Sequence, residues 1–266
     1  MKDGYDAHAE VDQAIFERHA DRLEARFEDP RQQAMLRDYL SDLTFAECAS
    51  VLDIGCGTGA VTRRLAAWPG VGHATGVDPI NAFISRARQL ARGAENIAFE
   101  QGDGRSLRFD DETFDVVVSH TVITHVSQPE KLIAEAFRVL RPGGSIALFD
   151  GDYTTSTVAN QSFDPLQACV DVLPVHDMYL VRRFPSLLAG GGFDDVRVRS
   201  HGYVEDPKGG YMASWIERGA NALADNGVIG VELAEALRAE ARRRCEAGQW
   251  VGQMTFLSAI GRRPIP

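Results

Sequence analysis

Three carboxylates close three consecutive short apolar runs: Asp53 in Val51-Leu52-Asp53-Ile54, Asp78 in Gly76-Val77-Asp78, and Asp103 in Gly102-Asp103-Gly104. The first run leads directly into Gly55-Cys56-Gly57-Thr58-Gly59-Ala60. A turn without side chains lets a ligand approach the backbone and permits φ values that other residues resist. The spacing of Gly55, Gly57 and Ala60 also satisfies the looser dinucleotide fingerprint, so the loop alone is ambiguous. Asp53, two residues before Gly55, would face the middle of the ligand, repelling a diphosphate and attracting a sulfonium or an α-ammonium. Asp78 is placed to accept hydrogen bonds from ribose hydroxyls, which suits either ligand. Asp103 is placed to accept from the exocyclic amine of adenine. Together the three acids favour a cationic adenosyl ligand.

The elements that must carry these residues follow from the pattern. Ser50 to Ile54, Ala74 to Asp78, Ile97 to Gln101, Phe114 to Ser119 and Ser145 to Asp150 are β-rich, with helical patterns between most of them. That alternation predicts a doubly wound, Rossmann-like α/β fold, with helices on both faces of a mostly parallel sheet. Strand-like Phe193 to Val204 and Gly252 to Gly261 bring the sheet to seven strands, the last antiparallel. Glu10 to Phe27 and the run from Met35 to Leu43 read as N-terminal helices, the second opened by Asp29-Pro30. Ser127-Gln128-Pro129-Glu130 reads as a capping box, and Arg141-Pro142-Gly143-Gly144 as the stop after that helix. The expectation is a single domain, 1–266: an N-terminal cap over 1–46, a ligand-binding core over 47–150, insertions over 151–184 and 204–249, and a last strand over 250–266. The insertions and the cap are expected above the carboxyl edge of the sheet, where such folds bind ligands.

From Val51 to Asp150 the chain resembles the class I S-adenosylmethionine-dependent methyltransferases, particularly the ubiquinone/menaquinone-methyltransferase-like small-molecule branch. The resemblance rests on Asp53-Ile54-Gly55-Cys56-Gly57-Thr58-Gly59, Gly76-Val77-Asp78, Gly102-Asp103, Phe114-Asp115-Val116-Val117-Val118-Ser119 and Leu140-Arg141-Pro142-Gly143-Gly144. It implies S-adenosyl-L-methionine as cofactor, with S-adenosyl-L-homocysteine as product. By the same resemblance Asp53 and Gly55 hold the methionine portion, Asp78 the ribose, Ile80 packs on adenine and Asp103 reads its amine. Cys56, Gly57, Gly59, Pro79 and Gly104 complete the set, and Ser119 and His120 line the pocket near the sulfur. Outside Val51 to Asp150 only the general layout matches, so no substrate is implied.

Methyl transfer from a sulfonium is an in-line displacement, which gains most from alignment and exclusion of water. A base helps only when the acceptor carries a proton to remove. His125, just after the fourth strand, is a candidate for that base, and equally for a histidine that only hydrogen-bonds across its loop. His120 is a candidate pocket wall or base. Tyr5 is a candidate latch over the donor, against the alternative of an unstructured terminus. Asp150 and Asp152 offer carboxylates for Mg²⁺, but the third oxygen ligand is not visible, and Cys48, Cys56, Cys169 and Cys245 lack zinc spacing. No metal is expected.

The helices at Tyr211 to Ala224 and Val231 to Cys245 pair an apolar side (Tyr211, Trp215, Leu223; Leu233, Leu237, Ala241) with a charged one. They read either as plain packing or as a lid presenting Tyr211 and Trp215 to a partly apolar or aromatic small-molecule substrate. The net charge of −10 argues against nucleic acid as partner. No run approaches the roughly 20 apolar residues that span a bilayer, and Met1 to Gln13 lacks the apolar core of a signal peptide, so a cytoplasmic protein is expected. A homo-oligomer is left open. The functional expectation is methyl transfer to O, N or C of a metabolite. The alternatives are an S-adenosylmethionine-binding cyclase or rearrangement enzyme on the same fold, a nicotinamide-dependent oxidoreductase, and a silent binding subunit.

Overall fold

The computed structural model describes residues 13–266; Tyr5 lies outside the described residues. Two helices, α1 (Gln13–Glu28) and α2 (Pro30–Leu40), precede an alternating series. It runs β1 (Ala49–Ile54), α3 (Ala60–Ala66), β2 (Val71–Asp78), α4 (Asn81–Leu90), β3 (Ile97–Gln101), β4 (Phe114–His120), α5 (Pro129–Val139) and β5 (Leu140–Thr157). Then come α6 (Leu166–Asp171), α7 (Phe184–Gly190), β6 (Asp194–Val204), α8 (Ala213–Asp225), α9 (Val231–Glu246) and β7 (Gln253–Arg262). Asp29 caps α2 by accepting the Arg31 N–H at 2.8 Å, with Pro30 in the first turn, as its position implies.

The seven strands lie in the order β3-β2-β1-β4-β5-β7-β6. Pairings β1–β2, β1–β4, β2–β3 and β4–β5 are parallel, so the order reverses between β1 and β4, the switch point where open α/β sheets place their ligands. Strand β7 runs against β5. The Gly143 N–H, early in β5, donates to the Arg263 carbonyl at 2.9 Å, just past the end of β7, while the Thr255 N–H, early in β7, donates to Thr155 Oγ1 at 2.8 Å.

Strand alternation sorts the residues of β1, β4 and β5 between two faces. Leu52, Ile54, Val117, Ile146 and Leu148 form one, packed with Leu132, Ile133 and Ala136 of α5 and Leu188 of α7. The opposite face carries Asp53, Val118, His120 and Phe149, with Asp53 opposite Val118 and His120 opposite Phe149 in register.

Two local expectations are corrected. Helix α5 begins one residue later than a Ser127 cap requires: Gln128 is the N-cap, without a side-chain capping bond, and Ser127 Oγ instead accepts from Arg105 Nη1 at 2.9 Å. Proline in the first turn and the charged competitor outweigh the capping box. The Arg141-Pro142-Gly143-Gly144 stretch ends α5 but belongs to β5, because the backbone of Gly143 and Gly144 is hydrogen-bonded to Arg263. Gly143 meets that geometry at φ +80°.

The chain divides into two compact units. Of the described residues, the first holds those up to Gly151, with Tyr179–Ser200 and Leu257–Pro266; the second holds Asp152–Met178 and His201–Phe256. Within the second, α8 lies so close to α6 that a Cβ on Gly219 would stand 1.9 Å from the Cys169 carbonyl oxygen. Asp164 and Arg244 form a buried ion pair at 2.6 Å. Trp215 is buried and meets Tyr211 edge-on at 4.9 Å, which supports the packing reading of that helix. Leu233, expected on the apolar side of α9, is 49% exposed; Ala234, Leu237 and Ala241 make the buried stripe instead.

Candidate functional site

The site is built in the first unit from the carboxyl ends of β1, β2 and β4. Gly55 and Gly59 adopt φ values of +78° and +79°, and a Cβ on Gly55 would stand 2.4 Å from Val122 Cγ2. Glycine is therefore required twice over, by backbone hand and by the loop after β4 closing onto the turn. Gly57, at φ +52°, faces Leu23 of α1, which brings the N-terminal helices over the turn. They are held there by Arg63–Glu24 at 2.6 Å, by Arg64 Nη2 donating to the Phe27 carbonyl at 2.8 Å, and by Arg26 Nη1 donating to Thr121 Oγ1 at 3.0 Å.

Asp53 and Asp78 flank this turn and are almost wholly buried, at 1% and 3% exposure. Asp53 accepts from Thr62 Oγ1 at 2.7 Å. Burial, reinforced by the charge of Asp78, pushes its pKa up to about 7 against the pull of the Thr62 bonds. Asp78 accepts from the Gly57 N–H and the Ile80 N–H, both at 2.9 Å, and burial still raises it to about 6. The Gly57 N–H, which a phosphate-binding turn would offer to its ligand, is thus taken by a carboxylate. Cys56 is buried beside the two acids, and its thiol is pushed well up by desolvation and by their charges. Pro79 and Ile80 lead into α4; Gln101 Nε2 donates to the Pro79 carbonyl at 3.0 Å.

Asp103 departs from the other two acids. It is half-exposed and bound by Arg105, whose Nη2 donates at 2.8 Å and whose backbone N–H donates at 2.8 Å, holding its pKa low. A Cβ on Gly104 would stand 2.4 Å from Ile54 Cγ2, so that glycine serves close packing against β1.

Ser119 and His120 are both buried at the end of β4 but point to opposite faces of the sheet. Ser119 Oγ has no hydrogen-bond partner. His120 stacks on Phe149 at 4.5 Å, lies 5.2 Å from Phe27, and is hydrogen-bonded through Nδ1 to the Tyr39 hydroxyl at 3.0 Å. Burial, then Arg26 and Arg64, depress its pKa well below the usual histidine range, so it is a neutral wall and a weak base. His125 ends a single 3₁₀ turn, Ile123–His125, and is half-buried. Asp150 is fully committed: Oδ2 accepts from Thr124 N–H and Oγ1, and Oδ1 from the Gly151 N–H. Among the described residues there is no cluster of three His, Cys, Asp or Glu that could hold a metal ion.

Thr62, Tyr39, Val122 and Arg26 belong to this site and were not singled out in the sequence. Thr62 carried a faint signal as a hydroxyl on the helix after the glycine turn; the others act across long sequence separations that no local pattern reveals.

Residues 52–148 match the sequence family described as Methyltransferase domain. That match covers a little over a third of the chain. Among relatives, the ubiquinone/menaquinone biosynthesis C-methyltransferase UbiE of Roseobacter denitrificans is 32% identical over 117 residues, 43% of this chain and 47% of that protein. The chain spans less than half the length of such curated relatives. The crystal structure of the YcgJ protein of Bacillus subtilis superposes with a TM-score of 0.59 at 22% identity, covering 88% of this chain and 100% of that one. The [4+2]-cyclase SpnF superposes with 0.54 at 20% identity, covering 88% and 83%. At those identities the likeness concerns the fold. The residues of this domain fit an S-adenosyl group: two buried acids suit a cationic ligand, and the unpartnered buried Nε2 of His120, on the sheet face that carries Asp53, suits a polar one. Among the described residues no helix is long and apolar enough to cross a membrane.

Proposed function

We propose that this protein binds S-adenosyl-L-methionine at the carboxyl edge of β1, β2 and β4 and transfers its methyl group to a small-molecule metabolite. The observation that carries the reading is the pair of buried carboxylates, Asp53 and Asp78, on either side of the Gly55–Gly59 turn. A diphosphate there would meet two acids in a site largely withdrawn from water, with the Gly57 N–H already engaged. A sulfonium bearing an α-ammonium would meet its counter-charges. Bound S-adenosylmethionine supplies an electrophilic methyl on sulfur; the chain's own residues hold and shield it. Asp53 faces the positive methionine portion, and Asp78, fixed by Gly57 and Ile80, has lone pairs left for ribose hydroxyls. Ile80 and Asp103 stand at the adenine end. Leu23, Phe27 and Val122 keep water from the turn, which sharpens every charge inside it.

His125 is the proposed proton acceptor for a nucleophile that carries a proton, and His120, held neutral by burial, is a wall. The test is incubation with methyl-labelled donor and a metabolite extract, followed by mass spectrometry. Label in a small molecule supports the reading. Donor binding without label in any product, alongside a rearranged substrate, points to the cyclase alternative.

A further inference from the structure

Helix α9 lies in the second unit and buries Ala234, Leu237, Ala241 and Arg244 along one side. At about 3.6 residues per turn, the opposite side carries Glu232, Glu235, Ala236, Ala239, Arg242 and Arg243, and every one of them is exposed. On that side the acids occupy the first half of the helix, the bases the second, and the two alanines lie between. Arg242 is held by Glu235 and Arg243 by Glu240, each at 2.7 Å, which orders both guanidinium groups and leaves their side chains 59% exposed. Glu232 has no ion pair among the described residues. At the head of the helix, Val228 and Val231 are 67% and 71% exposed.

A face whose two signs of charge are segregated end to end is complementary to the same face run in reverse. Two copies of α9 packed antiparallel, with a two-fold axis between Leu237 and Arg238, set Ala236 against Ala239 of the second copy, and side chains that small let the helix axes approach to about 8 Å. The same register sets Glu232 against Arg243 of the second copy on one flank and Glu235 against Arg242 of the second copy on the other. Symmetry makes each contact twice. The Arg242 stem then lies over Val231 of the second copy and covers that apolar surface with its methylenes. A parallel pair would bring acid to acid, and a partner surface of one sign would suit only half of the face. We propose that the outer face of α9 is a self-association surface, and that its partner is a second copy of this chain docked antiparallel through Ala236 and Ala239. The helix has 16 residues. At a length of about 24 Å it buries less than about 1,200 Å², the class of transient pairs, so the Kd should lie at about 1–100 µM.

Sedimentation velocity of the full chain, from about 1 µM to about 1 mM, reads the association. The native protein should pass from monomer to dimer across that range. Arg243→Glu sets like charges against Glu232 at both ends of the seam and should raise the Kd at least about 10-fold. Combining Glu232→Arg with Arg243→Glu restores opposite signs and should bring the Kd back to within about threefold of the native value. Ala239→Gln fills the seam with a good helix former and should also raise the Kd about 10-fold. These positions face solvent in a single copy, so circular dichroism and the thermal midpoint of dilute protein should match the native chain. A native protein that stays monomeric throughout the range overturns the proposal. So does a dimer that either single variant leaves unchanged, or one that the paired charge reversal fails to recover.

Discussion

Asp53 concentrates the chemistry of the site. A carboxyl whose folded pKa lies above its unfolded value binds more protons in the native state, so the stabilisation it gives is full below the unfolded value and is lost as pH rises through the folded one. For Asp53 the window runs from 3.8 to about 7, and for Asp78 from 3.8 to about 6. The ligand-free protein should therefore lose stability across that range, with a slope of up to ~1.4 kcal/mol per pH unit from each group. Urea denaturation at a series of pH values checks this, and Asp53→Asn should flatten the upper part of the curve. A cationic donor should draw the proton off Asp53, so calorimetry near pH 6.5 in buffers of different ionisation enthalpy should show proton release. Asp53→Asn should also weaken donor binding by roughly 1.5–3 kcal/mol, the worth of a charged hydrogen bond, while leaving the fold intact at pH 8 because a buried charge has been removed. The position of Asp53 before the glycine turn made its role legible in the sequence. Its partner Thr62, and the Tyr39–His120 pair 81 positions apart, were not, because which distant side chains meet in a core is decided by tertiary packing.

At the scale of elements, the strand, glycine turn and helix around Gly55 were readable because turn chemistry is local. What closes on the turn was not: Val122 comes from the loop after β4, and only the fold brings it to Gly55. Gly55→Ala should cost roughly 2–4 kcal/mol, from the left-handed backbone together with overpacking against Val122. Adding Val122→Ala should restore the packing part only, which comparison of urea midpoints for the single and double variants resolves. The capping box at Ser127 failed for a related reason. A local pattern competes with any charged group the fold delivers, and Arg105 took the hydroxyl. Pairing with the last strand likewise drew Arg141-Pro142-Gly143-Gly144 into β5.

Across the whole molecule, the alternating patterns up to Asp150 were enough for the doubly wound sheet, and the two later strands fell where the alternation of Phe193 to Val204 and Gly252 to Gly261 put them. The second unit was less legible because its anchors are polar and join residues far apart in the sequence. The Asp164–Arg244 pair joins residues 80 positions apart, with side chains 0% and 6% exposed. Arg244→Met should destabilise the protein by about 3–5 kcal/mol by leaving Asp164 buried and uncompensated, and adding Asp164→Leu should recover part of that loss. Thermal denaturation followed by circular dichroism reads both variants. The central claim, that the glycine turn and its two acids hold an S-adenosyl ligand and not a diphosphate, is tested most directly by unfolding the native protein in the presence of S-adenosylhomocysteine or NADH. The account predicts that S-adenosylhomocysteine at a hundred times its Kd stabilises the fold by about 2.7 kcal/mol, that Asp53→Asn cuts this to roughly 0.3–1.3 kcal/mol at the same ligand concentration, and that NADH has no effect. Stabilisation by NADH with none from S-adenosylhomocysteine would contradict it.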